Sequence, residues 1–173
     1  MKLQEFKKLE LSITWTLIDI GYKGSKIFQD ELSSNEVINY AISLLDYDNY
    51  SWEVLELAGE KEVNTEEIDR HIKILSSYEM CNRDVEFEKW VVWYVSKHIQ
   101  KKYDNYIDGL IELGDIWIKL GMPKDSPHIF QGLNNGISPQ KYYTLENYEN
   151  LYDAHVKWLN DKLLRLRHID TKY

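Results

Sequence analysis

Residues 84–103 read DVEFEKWVVWYVSKHIQKKY, and the run WVVWYV at 90–95 decides whether the protein carries a sheet. Six consecutive apolar residues, three of them valines, suit a buried strand as well as a buried helix. The flanks separate the two. Glu86, Glu88, Lys89, Lys97 and His98 extend the run with no turn residue among them, so nothing ends a strand on either side. The stretch reads as one long helix, about 84–103, buried on most of its sides.

Working outward, helical spacing recurs almost everywhere. Leu3, Phe6, Leu9 and Leu11 define a first segment over about 3–10. In SITWTLIDIGYKG, Thr14 is placed to cap a short helix ending at Gly21 or Gly24, although the β-branched residues of 11–20 keep a strand open there. Ser33-Ser34-Asn35-Glu36 has capping-box spacing and announces a helix to about Asp46. Ser51 caps a helix stopping near Gly59, and Asn64 or Thr65 caps another running to about Met80. A further helix, about 106–120, meets Gly121-Met122-Pro123, a conventional stop. Residues 122–143 hold all three prolines and the NNG of 134–136, with one short helix expected around Pro127–Leu133. From Thr144 the apolar positions Leu145, Tyr148, Leu151, Tyr152, His155, Leu159, Leu163 and Leu166 mark the most regular helix. His155 is expected to fill a polar gap on that stripe. The fold class is all-α: a single domain, 1–173, formed as a bundle or stacked helical hairpins of about seven to eight helices, with an irregular loop at 122–143.

A chain of 173 residues buries one continuous core without staples. One cysteine, Cys81, excludes an internal disulfide framework and a cysteine-rich zinc site. The stretch MKLQEFKKLELSITW lacks the apolar run of a signal peptide, and nothing approaches the ~18 apolar residues of a membrane span. The expectation is a cytoplasmic protein with no membrane partner.

The charge is unevenly placed. Residues 30–69 carry twelve acids and one base, Lys61, whereas the whole chain has a net charge of −8. On the helix opened by Ser51, Glu53, Glu56 and Glu60 fall within about 60° of one another, with Val54, Leu55, Leu57 and Ala58 opposite and Trp52 at the boundary. On the next helix Ile68, Ile72 and Leu75 face inward. There Glu66–Arg70 and Asp69–Lys73 form i,i+4 pairs, each worth about 0.3 kcal/mol. For any one of these glutamates a solvated face is the simpler account. Together, so concentrated a block attracts a basic protein and speeds encounter, while it repels nucleic acid.

Catalytic and metal-binding signatures are missing. The residues three before His71, His98, His155 and His168 are Ile68, Val95, Tyr152 and Arg165. Only His128 has an acid there, Asp125, which Pro127 puts in or beside a loop, so no Glu-x-x-His pair exists for a di-iron bundle. The stretch at 46–56 starts like an EF-hand with Asp46 and Asp48. It then lacks the third ligand (Tyr50), the turn glycine (Ser51) and the twelfth-position glutamate (Leu57). There is no glycine-rich phosphate loop and no nucleophile elbow. Cys81 with His71 or His98 has no sequence reason to meet. Catalytic, cofactor and metal residues are each expected to be none.

Several pieces occur in an order that resembles a bacterial family of small helical proteins classed only as a domain of unknown function. They are TW at 14–15, DIGYKG at 19–24, VINYA at 37–41, LELAG at 55–59, EKW at 88–90, DGL at 108–110 and DIWIKLGMP at 115–123. The loop at 122–143 departs from the family's pattern in being less apolar. That family is similar in setting to the immunity factors found beside polymorphic toxins. The resemblance implies no active site and points to inhibition by binding.

The leading expectation is a non-catalytic protein-binding protein, an immunity protein that occludes a basic, nuclease-type toxin. Its partner-binding residues are Trp52, Glu53, Glu56, Glu60, Glu62, Glu66 and Glu67. The alternatives are an intracellular helical adaptor or structural protein, and a hydrolase or metal enzyme built on converging carboxylates.

Overall fold

The computed structural model describes residues 2–46, 50–100, 103, 105–133 and 136–171. Asp48, Asn134 and Asn135, which figured in the sequence reading, lie outside the described residues. Among the described residues the elements are α1 (Lys2–Lys8), α2 (Trp15–Asp19), a π-helical turn (Ile20–Gly24), α3 (Ser34–Leu44) and α4 (Trp52–Ala58). They continue with α5 (Thr65–Ser77), α6 (Arg83–Ile99), α7 (Tyr106–Lys119), α8 (Pro139–Tyr142) and α9 (Leu145–Asp170). The fold is all-α. WVVWYV lies wholly inside α6, and the strand left open at 11–20 is instead α2 and the π turn.

Local chemistry places most boundaries. Thr14, Ser33 and Ser51 each accept a hydrogen bond from the backbone N–H three residues on, satisfying donors that a helix start leaves unpaired. The box at Ser33 closes on one side only, because the Glu36 carboxylate is taken by the backbone N–H of Lys2. Asn64 precedes α5 without capping it, since its amide donates to Glu60. Gly121 ends α7 with φ +77°, a conformation that favours glycine. The short helix expected at Pro127–Leu133 does not form. It lies instead at Pro139–Tyr142, where Pro139 occupies the first turn and its missing N–H costs nothing.

The chain divides into two compact units, the division falling inside α6 between Trp90 and Val91. Unit 1 takes the described residues up to Trp90 together with Asp170 and Thr171. In it α2 packs on α5, α3 on α4, and α4 on α5. Its buried side chains include Phe6, Leu17, Phe28, Val37, Leu57, Ile72 and Trp90. The Trp90 indole meets Phe6 edge-on and stacks on Phe28, and its Nε1–H donates to the carbonyl of Leu17 at 2.8 Å. A buried tryptophan needs such an acceptor for its one polar atom.

Unit 1 also buries a charge. Lys89 is 0% exposed. Its ammonium lies 2.9 Å from Glu86 Oε1 and 2.8 Å from Asp170 Oδ1, and donates to Ser12 Oγ at 2.7 Å. The other oxygens are also used: Thr14 Oγ1 donates to Glu86 Oε2 and the Ser12 N–H to Asp170 Oδ2. Every strong donor and acceptor is matched, which is the condition for tolerating such a group inside.

Unit 2, Val91–Ile169, holds the second part of α6 with α7, α8 and most of α9. His155 sits on the α9 stripe, fully buried, and accepts from Trp117 Nε1–H at 2.6 Å. Its Nδ1–H faces the Leu151 carbonyl, which fixes the neutral tautomer. His128 packs edge-on to His155, bonded through Nε2 to the Tyr142 hydroxyl, with Nδ1 buried and unpaired. Burial, and secondarily His155, push His128 down to about 4, and burial lowers His155 as well.

A depressed histidine contributes stability that is complete above the unfolded value. That stability drains away as the unfolded chain gains a proton the folded one refuses. Acidification from 6.5 to about 4 is thus expected to remove roughly 2 kcal/mol through His128. Urea denaturation at both pH values checks this. A His128→Gln variant should show a shallower dependence, and an unchanged slope would reject the assignment.

Candidate functional site

The seven residues expected to bind a partner lie on α4, α5 and the turn between them. Trp52 is 67% exposed, at the first position of α4. Val54 and Leu57 are buried, and the arc between them sets which way the helix faces. That arc leaves Leu55 outside it, 38% exposed and not in the core as expected, and draws Glu53 half under. The reason is the helix's shortness: only two residues anchor it, so the buried arc is narrow and a leucine 100° away falls off its edge.

The carboxylates are not equivalent. Glu60 turns toward α5, where it accepts from the Asn64 amide at 2.9 Å and lies 4.0 Å from His71 Nε2. The Asn64 bond is the chief reason its carboxyl is held below the usual range. Glu62 accepts from the Asn35 amide. The expected pair Glu66–Arg70 is replaced by Glu67–Arg70 at 2.8 Å, because Arg70 reaches back to an oxygen that also lies near His71. Asp69–Lys73 forms at 2.6 Å as expected. Glu53, Glu56 and Glu66 make no hydrogen bond or ion pair among the described residues.

Glu60, Glu67 and His71 bring one donor atom each within 4.8 Å of one another, a spacing that fits a divalent cation. Sequence reading missed this trio because Glu60 and His71 belong to different segments, although Glu67 and His71 have the i,i+4 spacing of helical ligands. Two of the three donors already bond a cation of the protein's own. The Arg70 guanidinium donates to Glu67 through Nε at 2.8 Å and lies 3.2 Å from His71 Nε2. That guanidinium engages Glu67 and His71 while Glu60 is bonded to Asn64, and no metal is assigned to the trio.

Beside α4 a recess of about 390 Å³ is bordered by Trp15, Tyr50, Val54, Leu75, Tyr78 and Glu79. Glu79 accepts from the Trp15 and Thr16 N–H groups at 2.7 and 2.8 Å and from the Thr16 hydroxyl. It caps the start of α2 from a distant segment. Cys81 lies against Thr16 Oγ1 at 3.1 Å, away from any histidine pairing. Burial pushes its thiol up, the opposite of what a nucleophilic cysteine needs. In unit 2 a larger cavity of about 590 Å³ is bordered by Ile99, Tyr103, Tyr148, Tyr152, Glu149 and Asp153.

These features define an all-α protein with exposed carboxylates on α4, α5 and the turn between them and an exposed tryptophan at the start of α4. The chain belongs to the bacterial family described as "Uncharacterized protein conserved in bacteria (DUF2247)", which covers residues 3–163. Neither the curated proteins nor the solved structures contain a match. Among the described residues no helix is long and apolar enough to cross a membrane.

Proposed function

We propose that the protein is a non-catalytic protein-binding protein that uses α4 and α5 to hold a Lys- and Arg-rich partner. In its most specific form it is an immunity protein occluding the basic cleft of a nuclease-type toxin. The observation that carries this reading is the exposed Trp52 on the same short helix as the unpaired Glu53 and Glu56, with unpaired Glu66 on α5. Residues 1–90 hold ten bases against nineteen acids, so the potential at this end of the chain favours a cationic partner. A nuclease fits because its own substrate is polyanionic. Trp52 supplies the apolar anchor that interfaces place within a polar rim.

The test is a triple variant, Glu53→Gln, Glu56→Gln and Glu66→Gln, measured against the partner recovered on tagged protein and eluted with salt. Affinity is expected to fall about ten-fold or more and its salt dependence to flatten, with the association rate changing most. Stability should stay within about 0.5 kcal/mol, because none of the three is paired. Unchanged affinity and an unchanged salt slope would sink the proposal.

A further inference from the structure

The recess beside α4 has a composition that selects one kind of guest. Three of its borders are aromatic, Trp15, Tyr50 and Tyr78, and the last two are 45% and 66% exposed. Val54 and Leu75 supply an apolar wall. Glu79 is its one carboxylate, and no lysine or arginine borders it among the described residues. The Glu79 side chain is fixed by three hydrogen bonds from α2, so its position needs no ordering when a guest arrives. Its charge is felt nearby: the Tyr40 phenol is pushed up to about 12, first by burial and then by Glu79.

Aromatic faces carry the negative end of the ring quadrupole, and a carboxylate beside them adds to it. An apolar wall, in turn, suits a hydrocarbon stem. We propose that this recess accepts an arginine side chain of the basic partner, its methylenes on Val54 and Leu75 and its guanidinium among the aromatic rings next to Glu79. Arginine meets these demands better than lysine, because a planar, weakly hydrated guanidinium stacks on rings and sheds water at lower cost. The recess shares α4 with Trp52 and Glu53, since Ser51 and Val54 border it. The arginine would therefore enter beside the carboxylates that draw the partner in. This inference rests on the protein-binding reading and gives it a specificity pocket.

The probe is the blocked peptide acetyl-Gly-Arg-Gly-Gly-amide, with its citrulline counterpart as the uncharged isostere. Titration is followed by the chemical shifts of the Trp15 indole N–H and the Val54 and Leu75 methyls. The arginine peptide should give saturable shifts at these three residues, and citrulline should bind about ten-fold more weakly or worse. Tyr78→Ala, at an exposed position after α5, should lose the binding while keeping the same thermal midpoint. No saturable shift, equal affinity for citrulline or for a lysine peptide, or full binding by Tyr78→Ala would each overturn the assignment. The two proposals fail separately. A partner released by the triple glutamine variant but held fully by Tyr78→Ala rejects the pocket alone. A peptide that binds while the partner ignores the triple variant rejects the charged surface alone.

Discussion

Lys89→Met is expected to destabilise the protein by about 3–5 kcal/mol, the range seen when one member of a buried ion pair is removed. The methionine matches the lysine stem in bulk, so packing is largely kept and the loss is electrostatic. It leaves the Glu86 and Asp170 carboxylates, 4% and 14% exposed, facing one another without the ammonium that both now bond. Burial already pushes the Glu86 carboxyl up, and Lys89 is the main influence holding it back. Without Lys89 it should rise further. A carboxyl raised above its unfolded value loses stability as pH rises, so the variant's deficit should be smaller near about pH 5 than near about pH 8. Adding Glu86→Gln should recover part of the loss. Urea midpoints for the single and double variants decide it: a deficit under about 1 kcal/mol, or one independent of pH, would show that water reaches the site and the pair is not truly buried.

The second large effect comes from the smallest change. Gly21→Ala is expected to cost about 3 kcal/mol, the upper end of overpacking losses. A methyl on Gly21 would stand 2.1 Å from Trp90 Cζ2, well inside contact distance. The indole has nowhere to go. It is 0% exposed, stacked on Phe28, edge-on to Phe6 and tethered to the Leu17 carbonyl. The strain must therefore fall on the π turn itself. The Tm should drop and near-ultraviolet circular dichroism of the tryptophans should change. A compensating Trp90→Phe, which vacates the outer ring, should lessen the penalty of the added methyl. If Gly21→Ala is as stable as the parent, the close approach of turn and indole is wrong.

Helix identity was legible because it depends on neighbours a few residues apart. Thr14, Ser33 and Ser51 mark starts, Gly121 marks a stop, and the charged flanks of WVVWYV rule against a strand; each is a local statement about backbone donors or turn chemistry. The inward face of α5 followed from spacing alone, as did Leu151, Leu163, Leu166 and a buried His155 filling a polar gap on α9, whereas Leu145 at the start of that stripe is exposed. Where local evidence was thin, the reading slipped. Spacing puts Leu55 opposite the glutamates and so in the core, but a seven-residue helix held by Val54 and Leu57 has a narrow buried arc. The pairing of Arg70 went to Glu67 and not Glu66, since His71 offers the guanidinium a second contact on that side.

The sequence by itself determined the all-α class, most helix boundaries and the concentration of acid in residues 30–69, because periodicity, capping and composition are properties of short stretches of chain. Only the tertiary structure decided which glutamates stay unpaired, that Trp52 is exposed, that Lys89 is a buried charge bonded to Ser12 and Asp170, and that Trp15, Tyr78 and Glu79 border one recess. Those facts depend on side chains many residues apart in sequence being brought together, and packing, not local propensity, chooses the partners.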